Sequence, residues 1–391
     1  MISVEEAIEQ IEQKVGQSNG SQVIALEKAL DYVLSEDIMA PMNLPHFRQS
    51  AMDGYALNTH ADLKYTVVGE VQAGSSLNPE LKPGEAVRIF TGAPVPDTAN
   101  SIVIQERVVR KEDHVHLEFA PLPQANIRPI GEQLKKNHLL ISKGMRLTPA
   151  ALGVLATSGI DKVTVVSKPT ITIVVTGDEL MPAGAELAHG QIYESNGIML
   201  RSVLKEKGYE QVEVKKAKDD FEVVKNTLDQ AIQSSDLVLV SGGISVGDYD
   251  FAGSALGALG VEQVFYKVKQ KPGKPLFFGT KGEKLIFALP GNPASALSCF
   301  YRYVLYAMRL WEGDLKANTP LRKAKSKWSY SKKGDRAQFL KARVEGEEVS
   351  ILDGQASSML QSFALANALV YLDESISEVA KGQEIPYLKI D

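Results

Sequence analysis

The chain has 391 residues, 44% of them hydrophobic and 23% charged, with a formal net charge of -5. That length suits two to four domains with real cores, and the acidic balance excludes a broad nucleic-acid footprint. No apolar run reaches the ~18 residues that a membrane span needs, and a single cysteine, Cys299, excludes a disulfide framework and any multi-cysteine metal site.

The N-terminal stretch Met1-Ile2-Ser3-Val4-Glu5-Glu6-Ala7 is acidic and helical and does not read as a signal peptide, so a reducing cytoplasm is the expected location. Residues 3–35 carry helical periodicity through Val4, Ile8, Ile11, Val15, Val23, Leu26 and Leu30, until Pro41 and Pro45 break it. From Tyr65 to Phe119 short apolar runs alternate with Gly, Pro, Asn and Asp clusters, which predicts a small inserted β domain. Helical pattern returns over 147–158. After Pro169 strands and helices alternate, as in βαβ units with right-handed crossovers: strands at 170–175, 211–214, 236–240, 262–268, 276–279 and 284–288, helices at 196–207, 220–234 and 293 to about 310. Short strands resume after Pro320. The expected fold class is therefore a multidomain α/β protein: a three-layer α/β domain with a mostly parallel sheet (168–315), a discontinuous N-terminal helical domain (1–45 with 130–167), an inserted β domain (46–129) and a C-terminal β domain (316–391).

The chemistry concentrates at predicted carboxyl ends of strands, where ligands sit in parallel sheets. Strand 236–240 runs into Ser241-Gly242-Gly243-Ile244-Ser245-Val246-Gly247-Asp248-Tyr249-Asp250, a glycine-rich turn with a hydroxyl at Ser245 and two carboxylates. The first α/β strand ends in Thr176-Gly177-Asp178-Glu179-Leu180, and Asp219 and Asp220 follow the second. Glu179, Asp219 and Asp250 thus converge from three loops as oxygen ligands suited to Mg2+; singly, each is an ordinary cap or turn residue. Four lysines fall between 267 and 274, and Pro272, Gly273 and Pro275 stiffen their loop. Lys267, Lys271 and Lys274 are candidates for phosphate contact, against the plain alternative of an exposed basic loop. Pro290-Gly291-Asn292-Pro293 reads as a helix start with Asn292 as cap, whose free N–H groups favour an anion. Cys299, on an apolar helix, reads as a buried structural thiol. His114 and His116 share a strand face but lack a third zinc ligand.

Taken in order, Ser50-Ala51-Met52-Asp53-Gly54-Tyr55-Ala56, Ile89-Phe90-Thr91-Gly92-Ala93, Asn126-Ile127-Arg128, Thr176-Gly177-Asp178-Glu179-Leu180, Gly190-Gln191-Ile192-Tyr193, the Ser241-Gly242-Gly243 turn, Lys271-Pro272-Gly273-Lys274-Pro275 and Leu289-Pro290-Gly291-Asn292-Pro293 resemble the molybdopterin molybdenumtransferases, and the C-terminal domain of gephyrin is similar. The resemblance covers nearly the whole chain. It implies an elongated helical domain, a β insertion, an α/β domain like molybdopterin adenylyltransferase and a C-terminal β-barrel. It further implies a homodimer whose cleft combines the α/β domain of one subunit with N-terminal residues of the other, and molybdopterin adenylyltransferase as a partner. The implied reaction takes adenylylated molybdopterin and molybdate, inserts molybdenum at the dithiolene sulfurs and releases AMP, with Mg2+ as cofactor. Carried over by position, the resemblance implies that Glu179, Asp219 and Asp250 surround the nucleotide and its cation, that Lys267 and Lys271 face the phosphates, and that Pro290 and Pro293 lie near the oxyanion and dithiolene. It likewise implies functional roles for Asp53, Thr91 and Arg128 in the N-terminal half and for Ser357 in the C-terminal domain. Gln133 stands where many relatives have aspartate, Ala356 where glycine is frequent and Lys341 where arginine is frequent, so bidentate geometry is lost there. Two other readings remain open at this point: a molybdopterin adenylyltransferase consuming ATP, and a gephyrin-like scaffold.

Overall fold

A computed structural model describes residues 1–244, 251–317 and 320–390. At its centre is a six-stranded sheet in the order Val212–Ala217, Ile171–Thr176, Leu237–Ser241, Lys284–Leu289, Phe277–Lys281 and Glu262–Tyr266. The first four strands are mutually parallel; Phe277–Lys281 runs antiparallel to its neighbours on both sides, joined to Lys284–Leu289 by the hairpin between Lys281 and Lys284. Ile171–Thr176 and Leu237–Ser241 are buried at every position. This is why they read as unbroken apolar runs: helices cover both faces. Ile171, Ile173 and Val175 enter one core with Leu200, Leu204, Leu239, Phe287 and Phe300. Val174, Val238 and Val240 enter the other with Val224, Leu228, Ala252 and Leu256. The alternation follows from the two-residue period of a strand. The chain crosses from Ile171–Thr176 outward to Val212–Ala217 and then back to Leu237–Ser241. Connections therefore leave Thr176 and Ser241 in opposite directions, and a crevice opens between them.

The N-terminal helix is shorter than the periodicity suggests. It spans Val4–Lys14, started by a capping box between Ser3 and Glu6, and buries Val4, Ala7, Ile8 and Ile11 in the α/β core. Beyond Gly16 and Gly20 the chain switches to a strand, Ser21–Ala25, paired antiparallel with Lys162–Val166, followed by a single 3-10 turn at Leu26–Lys28. Val23 is 66% exposed, an apolar residue on a two-stranded ribbon rather than on a buried helix face. The return segment keeps its helix at Pro149–Thr157, capped by the Thr148 hydroxyl. Arg146 joins this region to the α/β core, donating to Glu312 (2.5 Å) and Asp314 (2.9 Å) just after the helix ending at Trp311.

The insertion is a six-stranded sheet in the order Ser101–Ile104, Gly54–Leu57, Glu85–Ile89, Lys64–Val71, His114–Leu117 and Val108–Lys111. The C-terminal strands Ala337–Glu345, Glu348–Ile351, Arg322–Ser326, Glu384–Lys389 and Ala368–Leu372 close into a barrel, the last pairing back on the first. The short strand Gln270–Lys271 adds to this barrel, parallel to Ala337 and Gln338, so the lysine loop is shared between the α/β core and the barrel. No helix among the described residues is long and apolar enough to cross a membrane.

Candidate active site

The crevice at the carboxyl ends of the parallel strands is a cavity of about 670 Å3. Its walls are the loops after three neighbouring strands, closed on one side by the start of the helix Asn196–Glu206. After Ile171–Thr176 come Gly177 and Glu179; after Leu237–Ser241 come Gly242 and Gly243; after Lys284–Leu289 come Pro290, Gly291, Asn292 and Pro293. Asp219 enters from the loop after Val212–Ala217. Asp178 and Asp219 exchange hydrogen bonds, each carboxylate accepting the other's backbone N–H at 3.3 Å, which locks two loops at this edge. Asp220 is a helix cap, accepting from Val223 N–H.

Gly242 is required by its backbone. Its φ of 96° is left-handed, and a Cβ there would stand 2.7 Å from the Thr176 carbonyl oxygen. The turn therefore lies against the neighbouring strand end and presents backbone alone to the cavity.

Among the sequence-predicted residues, Glu179, Asp219, Gly242, Gly243, Pro290, Asn292 and Pro293 come together here. Ser245 and Asp250 lie outside the described residues. Among the described residues no group of three or more His, Cys, Asp or Glu side chains is placed to hold a metal; Glu179 and Asp219 are two carboxylates at one edge. The helix start differs from the expectation of free N–H donors. Asn292 makes no side-chain cap; its Nδ2 donates to Ser357 Oγ at 3.0 Å. Ala294 N–H donates to the Ser357 carbonyl, and Ser295 and Ala296 N–H to the Asn292 carbonyl. Pro293 has no N–H at all, so those donors are already engaged. Ser357 thereby ties the barrel to this wall, and its neighbour Ser358 lines the cavity. Lys341 is buried and donates to the carbonyls of Gly354 (2.6 Å), Ala356 (3.3 Å) and Met359 (2.8 Å), holding the turn that carries Ser357. Burial pushes its ammonium pKa down.

The lysine loop flanks the cavity: Pro275 lines it, while Lys267, Lys271 and Lys274 are outside the lining. The Lys267 ammonium lies 4.6 Å from the Tyr266 ring centre, and the Tyr266 hydroxyl donates to the Ile244 carbonyl beyond the glycine turn. Asp53 and Thr91 meet in the inserted sheet. The Asp53 carboxylate accepts from Thr91 N–H (2.7 Å) and the Thr91 hydroxyl (2.8 Å), and these bonds hold its pKa below the usual carboxylate range. Arg128 pairs through its backbone with Gln49. None of these three lines the cavity of its own chain. Cys299 is buried with its thiol pushed up to about 12 by desolvation, as a structural thiol should be.

Sequence reasoning missed Asn196, Thr176 and Ser241 as lining residues. In the sequence Ser195 and Asn196 are alternative caps of this helix; the structure puts Ser195 at that position and turns the Asn196 amide toward the two loops opposite. The only available signal was its place just after Gly190-Gln191-Ile192-Tyr193, whose Ile192 and Tyr193 also line the cavity.

Comparison with known proteins places this geometry. The MoeA N-terminal region (domain I and II) matches residues 2–159, a probable molybdopterin binding domain residues 172–309, and the MoeA C-terminal region (domain IV) residues 323–390. The chain is 30% identical over 400 residues to the molybdopterin molybdenumtransferase of Haemophilus influenzae, covering 98% of each. It is 31% identical over 385 residues to that of Staphylococcus aureus, covering 95% of this chain and 91% of the relative. A crystal structure of a molybdopterin biosynthesis MoeA protein from Pyrococcus horikoshii superposes with a TM-score of 0.85 at 28% identity, covering 99% of both chains.

Proposed function

The chain belongs to the MoeA family of molybdopterin molybdenumtransferases, and from that premise we propose that its cleft takes adenylylated molybdopterin and molybdate, transfers molybdenum to the dithiolene sulfurs and releases AMP. Molybdenum insertion in cofactor biosynthesis is the family's activity and this chain's; the adenylylated form of the substrate is our reading of the site. One observation carries it. A single cavity of about 670 Å3 joins two carboxylates, a backbone-only glycine turn and the Pro290–Pro293 loop, an arrangement with room for a nucleotide-tagged pterin and an oxyanion together.

Glu179 and Asp219 present only oxygen to the cavity, a donor set that fits a hard divalent cation, and Asp250 is the third proposed ligand. Mg2+ bound there would supply Lewis-acid polarisation of phosphoryl oxygen. Gly242 and Gly243 let the phosphates approach the backbone closely. Lys267, Lys271 and Lys274, on the flanking loop, offset phosphate charge as AMP departs. Asn292 and Ser357 form the polar end where the α/β core meets the barrel, the place we assign to molybdate. Asp53, Thr91 and Arg128 stand away from their own chain's cavity, which supports a homodimer in which they serve the partner's site. Cytoplasmic residence and hand-over from a molybdopterin adenylyltransferase complete the proposal. The match to MoeA regions on both sides of the central domain favours insertion over adenylylation or a purely scaffolding role.

Mass spectrometry of products from adenylylated molybdopterin, molybdate and Mg2+ tests the reading. AMP and molybdenum cofactor should both appear and both depend on molybdate, and Asp219→Asn should depress AMP release. Adenylylated product made from ATP and molybdopterin would overturn it.

A further inference from the structure

One side chain ties together three walls of the cleft. Asn196 opens the helix Asn196–Glu206 and is 8% exposed. Its Nδ2 donates to Ser241 Oγ at 2.8 Å and to the Gly291 carbonyl at 2.7 Å. Ser241 immediately precedes the glycine turn, and Gly291 lies inside Pro290–Pro293. The two loops touch where these bonds converge: a Cβ on Gly291 would lie 3.8 Å from Gly242 Cα. The amide orientation follows from chemistry, because a backbone carbonyl only accepts and must face nitrogen rather than oxygen.

The other end of the amide is unusual. Asn196 Oδ1 is buried with no hydrogen-bond partner among the described residues, and so is Thr176 Oγ1, beneath the glycine turn. A Cβ on Gly242 or Gly243 would fall 2.9 or 3.0 Å from that Thr176 oxygen. A buried acceptor without a donor costs free energy. An apolar residue of the same shape would avoid that cost, so stability alone does not account for an amide here. What the amide uniquely supplies is two donors aimed at two different loops.

We infer that Asn196 is a positioning residue of the molybdenum-insertion site, a brace that sets the spacing between the Gly242–Gly243 turn and the Pro290–Pro293 loop. The inference rests on the substrate reading above, in which one loop receives phosphate and the other lies beside the oxyanion. Productive transfer then requires both parts of the substrate at a fixed separation, and small misplacements are expensive in rate.

Asn196→Leu keeps the shape, removes both donors and removes the orphaned oxygen. It strands Ser241 Oγ but leaves the Gly291 carbonyl open to water, so these stability terms offset. The expected result is a melting temperature within about 3 °C of wild type with a fall in kcat/KM for AMP release of about tenfold or more, including a raised KM for adenylylated molybdopterin. A loss of folded protein alone lowers apparent kcat and leaves KM where it was. Ser241→Ala removes one of the two bonds and must raise KM in the same direction by a smaller factor, which keeps the test intact if the leucine variant does not fold. Unchanged KM in either folded variant, beside an active wild type, overturns the inference alone. A wild-type chain that releases no AMP from adenylylated molybdopterin overturns the substrate reading, and this inference with it.

Discussion

Replacing Gly242 by alanine should damage the site far more than the same change at Gly291, although both glycines line one cavity. At Gly242 the backbone is left-handed, with φ at 96°, and the new methyl would stand 2.7 Å from the Thr176 carbonyl oxygen and 2.9 Å from Thr176 Oγ1. Left-handed strain in a non-glycine residue costs roughly 1–3 kcal/mol. The overlap adds to it, because the obstacle is backbone: Thr176 ends a buried strand held between two neighbours in parallel register and cannot swing aside as a side-chain tip would. A total on the order of 3 kcal/mol is within the range seen for a strained backbone position in a packed site. At Gly291 the backbone is not left-handed, and the nearest atom to a new Cβ is Gly242 Cα at 3.8 Å, an ordinary contact. That substitution should stay within about 0.5 kcal/mol of wild type. Thermal melting and steady-state AMP release measure both. Gly242→Ala should lower the melting temperature by roughly 5–10 °C and turnover by about 100-fold, the penalty for moving by around 1 Å a turn that we propose receives phosphate. Gly291→Ala should leave both nearly intact. Equal effects from the two substitutions would refute the argument that close backbone approach shapes this cleft.

Three further outcomes are expected. Asp53→Asn and Asp219→Asn chains should each be inactive alone. Mixed after reversible dissociation, they should regain about a quarter of wild-type activity, since half the random dimers carry one intact site of two; no recovery would place Asp53 in the cleft of its own chain, and an Asp53→Asn chain active alone would place it outside the reaction. Arg146→Leu leaves Glu312 and Asp314, both buried, without their cation, and should cost about 3 kcal/mol of unfolding free energy; a denaturant midpoint that does not move would refute this. Cys299 should resist thiol reagents at pH 8 in the folded protein and react once it is unfolded. Its pKa is raised in the fold from 9.0 to about 12. The folded state therefore holds the proton more tightly, so the stability linked to this group is complete below pH 9 and is lost as the pH climbs toward 12. Rapid labelling of the native protein near neutral pH would contradict the buried placement.

How far the sequence revealed these features depended on whether local chemistry or tertiary partners decided them. The parallel strands were legible because burial on both faces leaves continuous apolar runs such as Ile171–Thr176 and Leu237–Ser241. The glycine turn was legible because few residues other than glycine accept the φ of Gly242. Residues 21–25 were not: Val23 and Leu26 fit a helical stripe as well as a strand, and the pairing with Lys162–Val166, far along the chain, decides the matter. Asn292 does occupy the cap position its sequence context indicates, but its partners were not legible: Ser357, far along the chain, accepts from the Asn292 amide nitrogen and, through its carbonyl, from the Ala294 N–H. Asn196 shows the same limit from the other side, since a role that consists of bridging Ser241 and Gly291 has no local signature. The lysine loop combines both cases. Its charge and rigidity could be read from the sequence, but its pairing through Gln270–Lys271 with Ala337 and Gln338 could not. Through that pairing and the Asn292–Ser357 bond, the barrel grips two separate walls of the α/β cleft. Motion of the barrel would therefore shift the lysine loop and the Pro290–Pro293 loop together, and the Asn196 brace is the contact that would carry the Gly242–Gly243 turn with them.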